Sequence, residues 1–418
     1  MNIVERLSQQ SQKETVSNSF SDDYVVLGIH YPIDHNEDNV VELPNRSYSN
    51  VKILQQFFTR VEEIDYHPGF ISDVASRLNF TYRTRFMPIT RSPNGPSPLK
   101  ISFLVGDNIL NTLENAISNP NCFNTDIGWG CMIRTGQSLL GNAIQISLLG
   151  REYRINNETD EQERKIISWF MDDPNEPFSL HNFVKKGALL SSKQPGEWFG
   201  PAATSRSIQD LVYDFPDCGI GECFISVSSG DIFQDEIAGY FQKRGSDCRI
   251  LLLLGVKLGI NTVNEYYWED AKELLNSKYS VGISGGRPSS SLYFFGYQGD
   301  ELLYFDPHKP QPSMLESLLA TCHSEKFEKM HLSDMDPSML IGFLVNGVHE
   351  WESLEQEMKI SKIINILPKR DALGLGYDAL SFDEDSLDPP DNEYVDLGPI
   401  CIPTASNNIC SHYSSIAD

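Results

Sequence analysis

A thiol that opens a helix and a histidine placed two residues after an aspartate are the parts of a nucleophilic couple, and this chain of 418 residues carries both. The thiol is Cys131, in Thr125-Asp126-Ile127-Gly128-Trp129-Gly130-Cys131. Two glycines free the backbone there for a tight turn, and the cysteine begins an apolar-periodic segment. At a helix start, unsatisfied amides and the positive end of the helix dipole stabilise a thiolate, and the same amides can hold an oxyanion. The base is His308, in Asp306-Pro307-His308 at the end of an expected strand, where residues two apart project from the same face. In that arrangement His308 pairs with Cys131 as imidazolium and later protonates a leaving amine. Asp306 fixes its tautomer and orientation, and the fixed φ of Pro307 helps hold the geometry. A cysteine at a helix start also suits a small buried apolar site, and Asp-Pro-His suits an ordinary turn, so spacing alone leaves both readings open.

The elements that would position these residues can be traced along the chain. Residues 1–22 are Ser- and Gln-rich and read as a disordered N-terminal segment, after which Tyr24 to Gly28 reads as a core strand. Helical spacing recurs from Val51 and again from Phe70 to Leu78. Cys131 to Leu149 reads as a helix closed by Gly150, with Ile133, Leu140, Ala143, Ile144 and Leu148 on its apolar face. Cys223 to Val227 and the leucine-rich run from Arg249 to Val256 read as buried central strands. Ser291 to Tyr297 and Glu301 to Phe305, joined through Gln298-Gly299-Asp300, predict a hairpin that ends beside Asp306. From residue 368 to 418 acidic residues crowd a segment with few core positions, which reads as a disordered acidic tail. Residues 23–367 then form the folded part, of mixed α/β class.

Composition narrows the partners. Asp and Glu number 58 against 33 Lys and Arg, a formal charge of −25, which repels phosphate backbones and anionic surfaces and argues against nucleic acid. No stretch approaches the roughly 18 apolar residues of a membrane span, and the N-terminus has no signal-like apolar region, so a cytosolic or nucleocytosolic protein is expected. Eight scattered cysteines suit reduced thiols. Cys218 and Cys223 have no second pair at zinc spacing, and His181 and His323 stand alone, so neither metal nor cofactor is expected. Cys322, Cys401 and Cys410 are candidates for redox sensitivity if exposed.

The stretch from Asn124 to Gln137, which contains Ile127-Gly128-Trp129-Gly130-Cys131-Met132-Ile133-Arg134, resembles the active-site signature of the autophagy-related protein 4 (autophagin) cysteine peptidases. Tyr304-Phe305-Asp306-Pro307-His308 with Gln311-Pro312, Gly285-Gly286-Arg287-Pro288, Tyr82-Arg83 and Gly196-Glu197-Trp198-Phe199-Gly200-Pro201 resemble other signatures of that family. The resemblance spans roughly residues 24 to 365 and implies a papain-like α/β fold with a small additional α/β subdomain. It implies Cys131 as nucleophile, His308 as acid and base, Asp306 as its orienter and Tyr82 as an oxyanion donor through its phenol. Trp198 and Pro288 would line a narrow entrance suited to a strand ending in glycine.

It also implies a partner: the family's ubiquitin-like modifier, autophagy-related protein 8. The enzyme would process its precursor to expose the terminal glycine and release it from phosphatidylethanolamine, meeting membranes transiently through the lipidated substrate at the autophagosome assembly site. In the tail, Tyr394-Val395-Asp396-Leu397 looks like the short motif that binds this modifier by strand addition. Tyr24 to Leu27 fits the same pattern but reads better as core. A thiol hydrolase of other specificity, such as a deubiquitinating enzyme, and an inactive relative that only binds the modifier are the rival readings.

Overall fold

Leu251, Leu252, Leu253 and Leu254 lie in one strand, yet they belong to two cores: Leu251 and Leu253 to one, Leu252 and Leu254 to the other. A strand covered on both faces shows a continuous apolar run instead of alternation, which is why this one marks the middle of a sheet. The computed structural model describes residues 23–32, 66–98, 120–155, 160–287, 290–314 and 316–369. The segments 1–22 and 51–65 lie outside these described residues, as do Pro288, Tyr394, Leu397, Cys401 and Cys410 and all of the tail after residue 369.

The chain begins with β1 (Tyr24–Val26), β2 (Ile29–Tyr31), α1 (Pro68–Ser76), β3 (Arg83–Thr90) and β4 (Cys122–Thr125). Helices α2 (Cys131–Leu149), α3 (Glu161–Ser168), α4 (Leu180–Ser191) and α5 (Pro201–Asp214) follow. Then come β5 (Glu222–Ser226), β6 (Asp231–Phe233), α6 (Gln234–Arg244), β7 (Arg249–Lys257) and α7 (Trp268–Asn276). The remainder is β8 (Ser280–Arg287), β9 (Ser290–Gln298), β10 (Glu301–Phe305), β11 (Gln311–Pro312), β12 (Glu328–His331), β13 (Ser338–Asn346), α8 (Val348–Met358) and β14 (Asn365–Leu367).

The main sheet runs β12-β10-β9-β8-β13-β7-β5, with β1 added to β9 and β2 to β1. Its β5 and β7 are parallel, while β8, β9, β10 and β13 pair antiparallel. The predicted hairpin is present as β9 and β10, in register from Glu301 opposite Gln298. β1 is buried along its whole length, in keeping with the reading of Tyr24 to Leu27 as core. One core fills the α2 face of the sheet and takes in Leu139, Leu140, Phe170 and Phe295. The other lies on the opposite face, with Ile237 of α6, Leu274 of α7 and Leu354 of α8.

Helix α2 holds the bounds expected from sequence, and the Gly150 N–H bonds back to Ile146 O at 3.0 Å. Its environment differs from the expected single apolar face. Every residue from Cys131 to Ser147 is buried, because β8 and β9 cover one side and α5, α3 and the chain before β3 cover the others. A Cβ on Gly136 would lie 2.5 Å from Thr204 Cγ2, so α5 can approach closely only at glycine. Polar residues are tolerated in this helix because each is paired: Asn142 bonds both main-chain groups of Leu78 at 2.9 and 3.0 Å, and Gln137 donates to Phe178 O at 2.8 Å. No helix among the described residues is long and apolar enough to cross a membrane.

Candidate active site

Cys131 is the first residue of α2 and is 1% exposed. The turn before it folds for local reasons. Asp126 O accepts the N–H groups of Trp129 at 3.2 Å and Gly130 at 2.8 Å, and Gly128 takes φ +83°, where an L side chain is strained. At Gly130 the constraint is space: a Cβ there would stand 2.6 Å from Asp126 Oδ2. The Trp129 indole donates to Thr125 O at 3.0 Å, which pins the turn beneath the thiol.

His308 comes to the thiol from the end of β10. Sequence placed Asp306 and His308 on one strand face, but β10 ends at Phe305 because Pro307 has no N–H to continue a ladder. Asp306 starts a turn instead. Its Oδ1 accepts the main-chain N–H of His308 at 2.8 Å and faces the ring Nδ1 at 2.5 Å. That leaves Nε2 to face Cys131, with which His308 interacts, and Ser290 Oγ at 3.3 Å. The Asp306 side chain is 25% exposed and that of His308 28% exposed, so this half of the couple meets solvent while the thiol does not.

Tyr82 and Trp198 complete the wall around the sulfur. The Tyr82 phenol faces Cys131 and the Gly128 main chain, and its ring stands at 87° to the His308 ring with centroids 5.1 Å apart. Its own backbone is clamped to the histidine segment: Tyr82 N–H donates to Pro307 O at 2.8 Å, and Gln311 N–H donates to Tyr82 O at 2.9 Å. Trp198 Nε1–H donates to Cys131 Sγ at 3.3 Å. The structure therefore brings Cys131, Asp306, His308, Tyr82 and Trp198 together.

Electrostatics follow from these contacts. Burial pushes the Cys131 thiol up, but the bonds from His308, the Ser291 main chain and Trp198 outweigh it and hold the thiol below its ordinary value. Burial pushes His308 down, and Asp306 and Cys131 reverse this, raising it from 6.5 to about 9. Burial opposes the charge of Asp306 too, yet its bonds to His308 keep the carboxyl low. The two shifts run in the same sense and favour the ion pair, a thiolate facing an imidazolium, which is the ionic form that attacks carbonyl carbon.

Sequence reasoning missed Ser290, Ser291 and a buried charge network. Ser291 Oγ sits 2.7 Å from Thr135 Oγ1 and 3.1 Å from Met132 Sδ, tying β9 to the first turn of α2. Arg134, 0% exposed, bonds Asp126 Oδ2 at 2.7 Å and Asp172 Oδ1 at 2.9 Å. Two carboxylates hold its guanidinium charged against the opposing effect of burial. The signal available in sequence was the Asp126 and Arg134 pair inside one motif, eight residues apart. Cys218, Cys223 and Cys322 are free and buried. Among the described residues, no three His, Cys, Asp or Glu side chains stand close enough to hold a metal ion.

A thiol at the start of a buried helix, a histidine facing it from the turn after a sheet strand and an acid behind that histidine are the arrangement of a papain-like cysteine peptidase. Residues 67–357 match the peptidase C54 catalytic domain, and the chain belongs to that family of cysteine proteases. It is similar to a probable cysteine protease ATG4 of Vanderwaltozyma polyspora, 67% identical over 386 residues that span 91% of this chain and 93% of the relative. The cysteine protease ATG4 of Saccharomyces cerevisiae is 48% identical over 441 aligned residues, covering 100% of this chain and 89% of its own length. A probable cysteine protease ATG4 of Kluyveromyces lactis is 49% identical over 351 residues, 81% of this chain and 77% of the relative.

Proposed function

We propose that this peptidase cuts the precursor of a ubiquitin-like modifier of autophagy after its C-terminal glycine, and later frees the same glycine from phosphatidylethanolamine. The observation that carries the substrate class is the Trp198 indole seated 3.3 Å from the Cys131 sulfur. A carbonyl reaching that sulfur must pass beside the indole, and a residue without a side chain passes where a larger one clashes.

The chemistry uses residues already in place. The Cys131 thiolate attacks the glycine carbonyl carbon, and the oxyanion formed accepts hydrogen bonds from the Tyr82 phenol and from amides at the start of α2. His308, held as imidazolium by Asp306, gives its proton to the leaving nitrogen as the C–N bond breaks and a thioester remains. Water then adds to the thioester with His308 taking its proton, and the returning thiolate leaves a free glycine carboxylate. The leaving amine is a peptide nitrogen in precursor processing and the ethanolamine nitrogen in release from lipid, so both reactions are amide cleavages at one carbonyl.

Pro288 is proposed to line the same entrance, and Tyr394 and Leu397 in the acidic tail to add a strand to the modifier. The protein would act in the cytoplasm and nucleus and reach membranes through its lipidated substrate. The test is cleavage of a precursor carrying residues beyond its glycine, and of the lipid conjugate on vesicles, by wild type and by Cys131→Ala, His308→Ala and Asp306→Ala. Wild type should cleave both substrates, and Cys131→Ala neither. Cleavage of ubiquitin fusions with the modifier left intact would move the assignment to another thiol hydrolase.

A further inference from the structure

Three separate segments meet at the thiol, and one buried carboxylate touches two of them. Asp126 Oδ1 accepts the main-chain N–H of Arg83, the residue after Tyr82, at 2.6 Å. Its carbonyl accepts the N–H of Gly130, the residue before Cys131, at 2.8 Å. Its other oxygen, Oδ2, is taken by Arg134 Nε at 2.7 Å, one turn further along the helix that Cys131 begins. Arg134 reaches onward to Asp172 Oδ1 at 2.9 Å, and Asp172 Oδ2 accepts Met314 N–H at 2.6 Å, six residues beyond His308. Asp126 and Arg134 are fully buried, and Asp172 is 3% exposed.

We propose that Asp126, locked by Arg134 against Asp172, is a positioning residue that sets the reach of the Tyr82 phenol to the Cys131 thiol. The inference rests on the reading of Tyr82 as the oxyanion donor. It explains why an expensive arrangement stands here. Two carboxylates and a guanidinium buried in a core gain little stability over apolar residues of the same size, whereas they fix geometry. A carboxylate has two oxygens at a set angle, so one can hold the Tyr82 strand while the other is held by the helix of the nucleophile. An oxyanion donor acts only within hydrogen-bond distance of the developing charge, and a shift of about 1 Å can cost about 10²-fold in rate.

The test is a double-mutant cycle in the full-length protein, with kcat and KM measured on the modifier precursor and melting temperature followed in parallel. Tyr82→Phe alone should lower kcat by about 10²-fold. Asp126→Asn keeps an acceptor for Arg83 but turns an amide donor towards Arg134. It should lower kcat by about tenfold or more with KM within about twofold. In the Tyr82→Phe background the Asp126→Asn change should cost less than about twofold, because the group it positions is gone. If Asp126→Asn fails to give a cooperative melt, Arg134→Lys takes its place in the same cycle, since it leaves the Asp126 charge and the Arg83 bond intact. Losses that multiply in the double variant would overturn the positioning role while leaving Tyr82 as donor. A Tyr82→Phe enzyme with unchanged kcat would overturn the donor reading, and the positioning role with it.

Discussion

The Trp198 indole N–H points at the Cys131 sulfur from 3.3 Å, so the ring that stands beside the nucleophile also stabilises its charge. A substrate that displaced the indole would also remove a hydrogen bond from the thiolate and leave it more nucleophilic.

Trp198→Phe separates the bulk of the ring from its hydrogen bond. The phenyl ring keeps much of the bulk but cannot donate, so thiolate formation should begin at higher pH. The rate of iodoacetamide alkylation of Cys131, followed against pH, should shift its acid limb upward and reach a plateau no lower than that of wild type. An unmoved acid limb would mean that Trp198 contributes shape alone.

The ion pair predicts a bell-shaped rate profile with its alkaline limb near pH 9, where His308 loses its proton. Asp306→Asn removes the strongest contact that raises His308, so that limb should move to lower pH and kcat should fall by about 10²-fold. Stability should not show the same dependence. The raised His308 favours the fold below about 6.5 and loses this contribution as pH climbs through about 9, while the depressed Cys131 favours the fold increasingly as pH climbs towards its unfolded value of 9.0. The two contributions therefore slope in opposite directions and offset each other where both act. The measurement is kcat/KM and melting temperature on the same samples from pH 6 to pH 10.

What was legible in the sequence was local. The turn at Gly128-Trp129-Gly130, the helix from Cys131 to Gly150 and the β9 to β10 hairpin each rest on residues within a few positions of one another, and each is found where the pattern puts it. The burial of α2 on every side was not legible, because it depends on Thr204, Phe80 and Leu78 arriving from other segments. Asp172 joins Arg134 from 38 residues away, and nothing near either residue announces the pairing. The Asp306 and His308 geometry was misread for a physical reason that the sequence did contain: Pro307 ends the strand, and the aspartate then bonds the histidine around a turn.

The acidic tail offers a prediction that chemistry at Cys131 does not touch. If Tyr394 and Leu397 add a strand to the modifier, a Tyr394→Ala, Leu397→Ala double variant should bind it about tenfold more weakly and raise KM for the full-length precursor. It should cleave a short peptide ending beyond the glycine at the wild-type rate. Equal binding by titration calorimetry would remove the motif from the site.

Gly130→Ala tests how closely the turn and the helix are packed. The added methyl would meet Asp126 Cβ and Oδ2 at 2.6 Å, and neither atom can retreat, because Arg134 and the Arg83 main chain hold the carboxylate on both oxygens. The φ of Gly130 is −91°, which alanine adopts without strain, so any effect is one of space and not of backbone conformation. Overpacking of this kind costs about 1–3 kcal/mol, read as a lower midpoint in urea with unchanged slope. Because the displaced atom belongs to Asp126, kcat should fall in the variant molecules that remain folded, while alanine at the half-buried Gly239, where an added methyl meets nothing within 4 Å, should leave kcat unchanged. A Gly130→Ala enzyme with wild-type midpoint and kcat would show that the turn yields, and that the contact between Asp126 and Gly130 is looser than the distance implies.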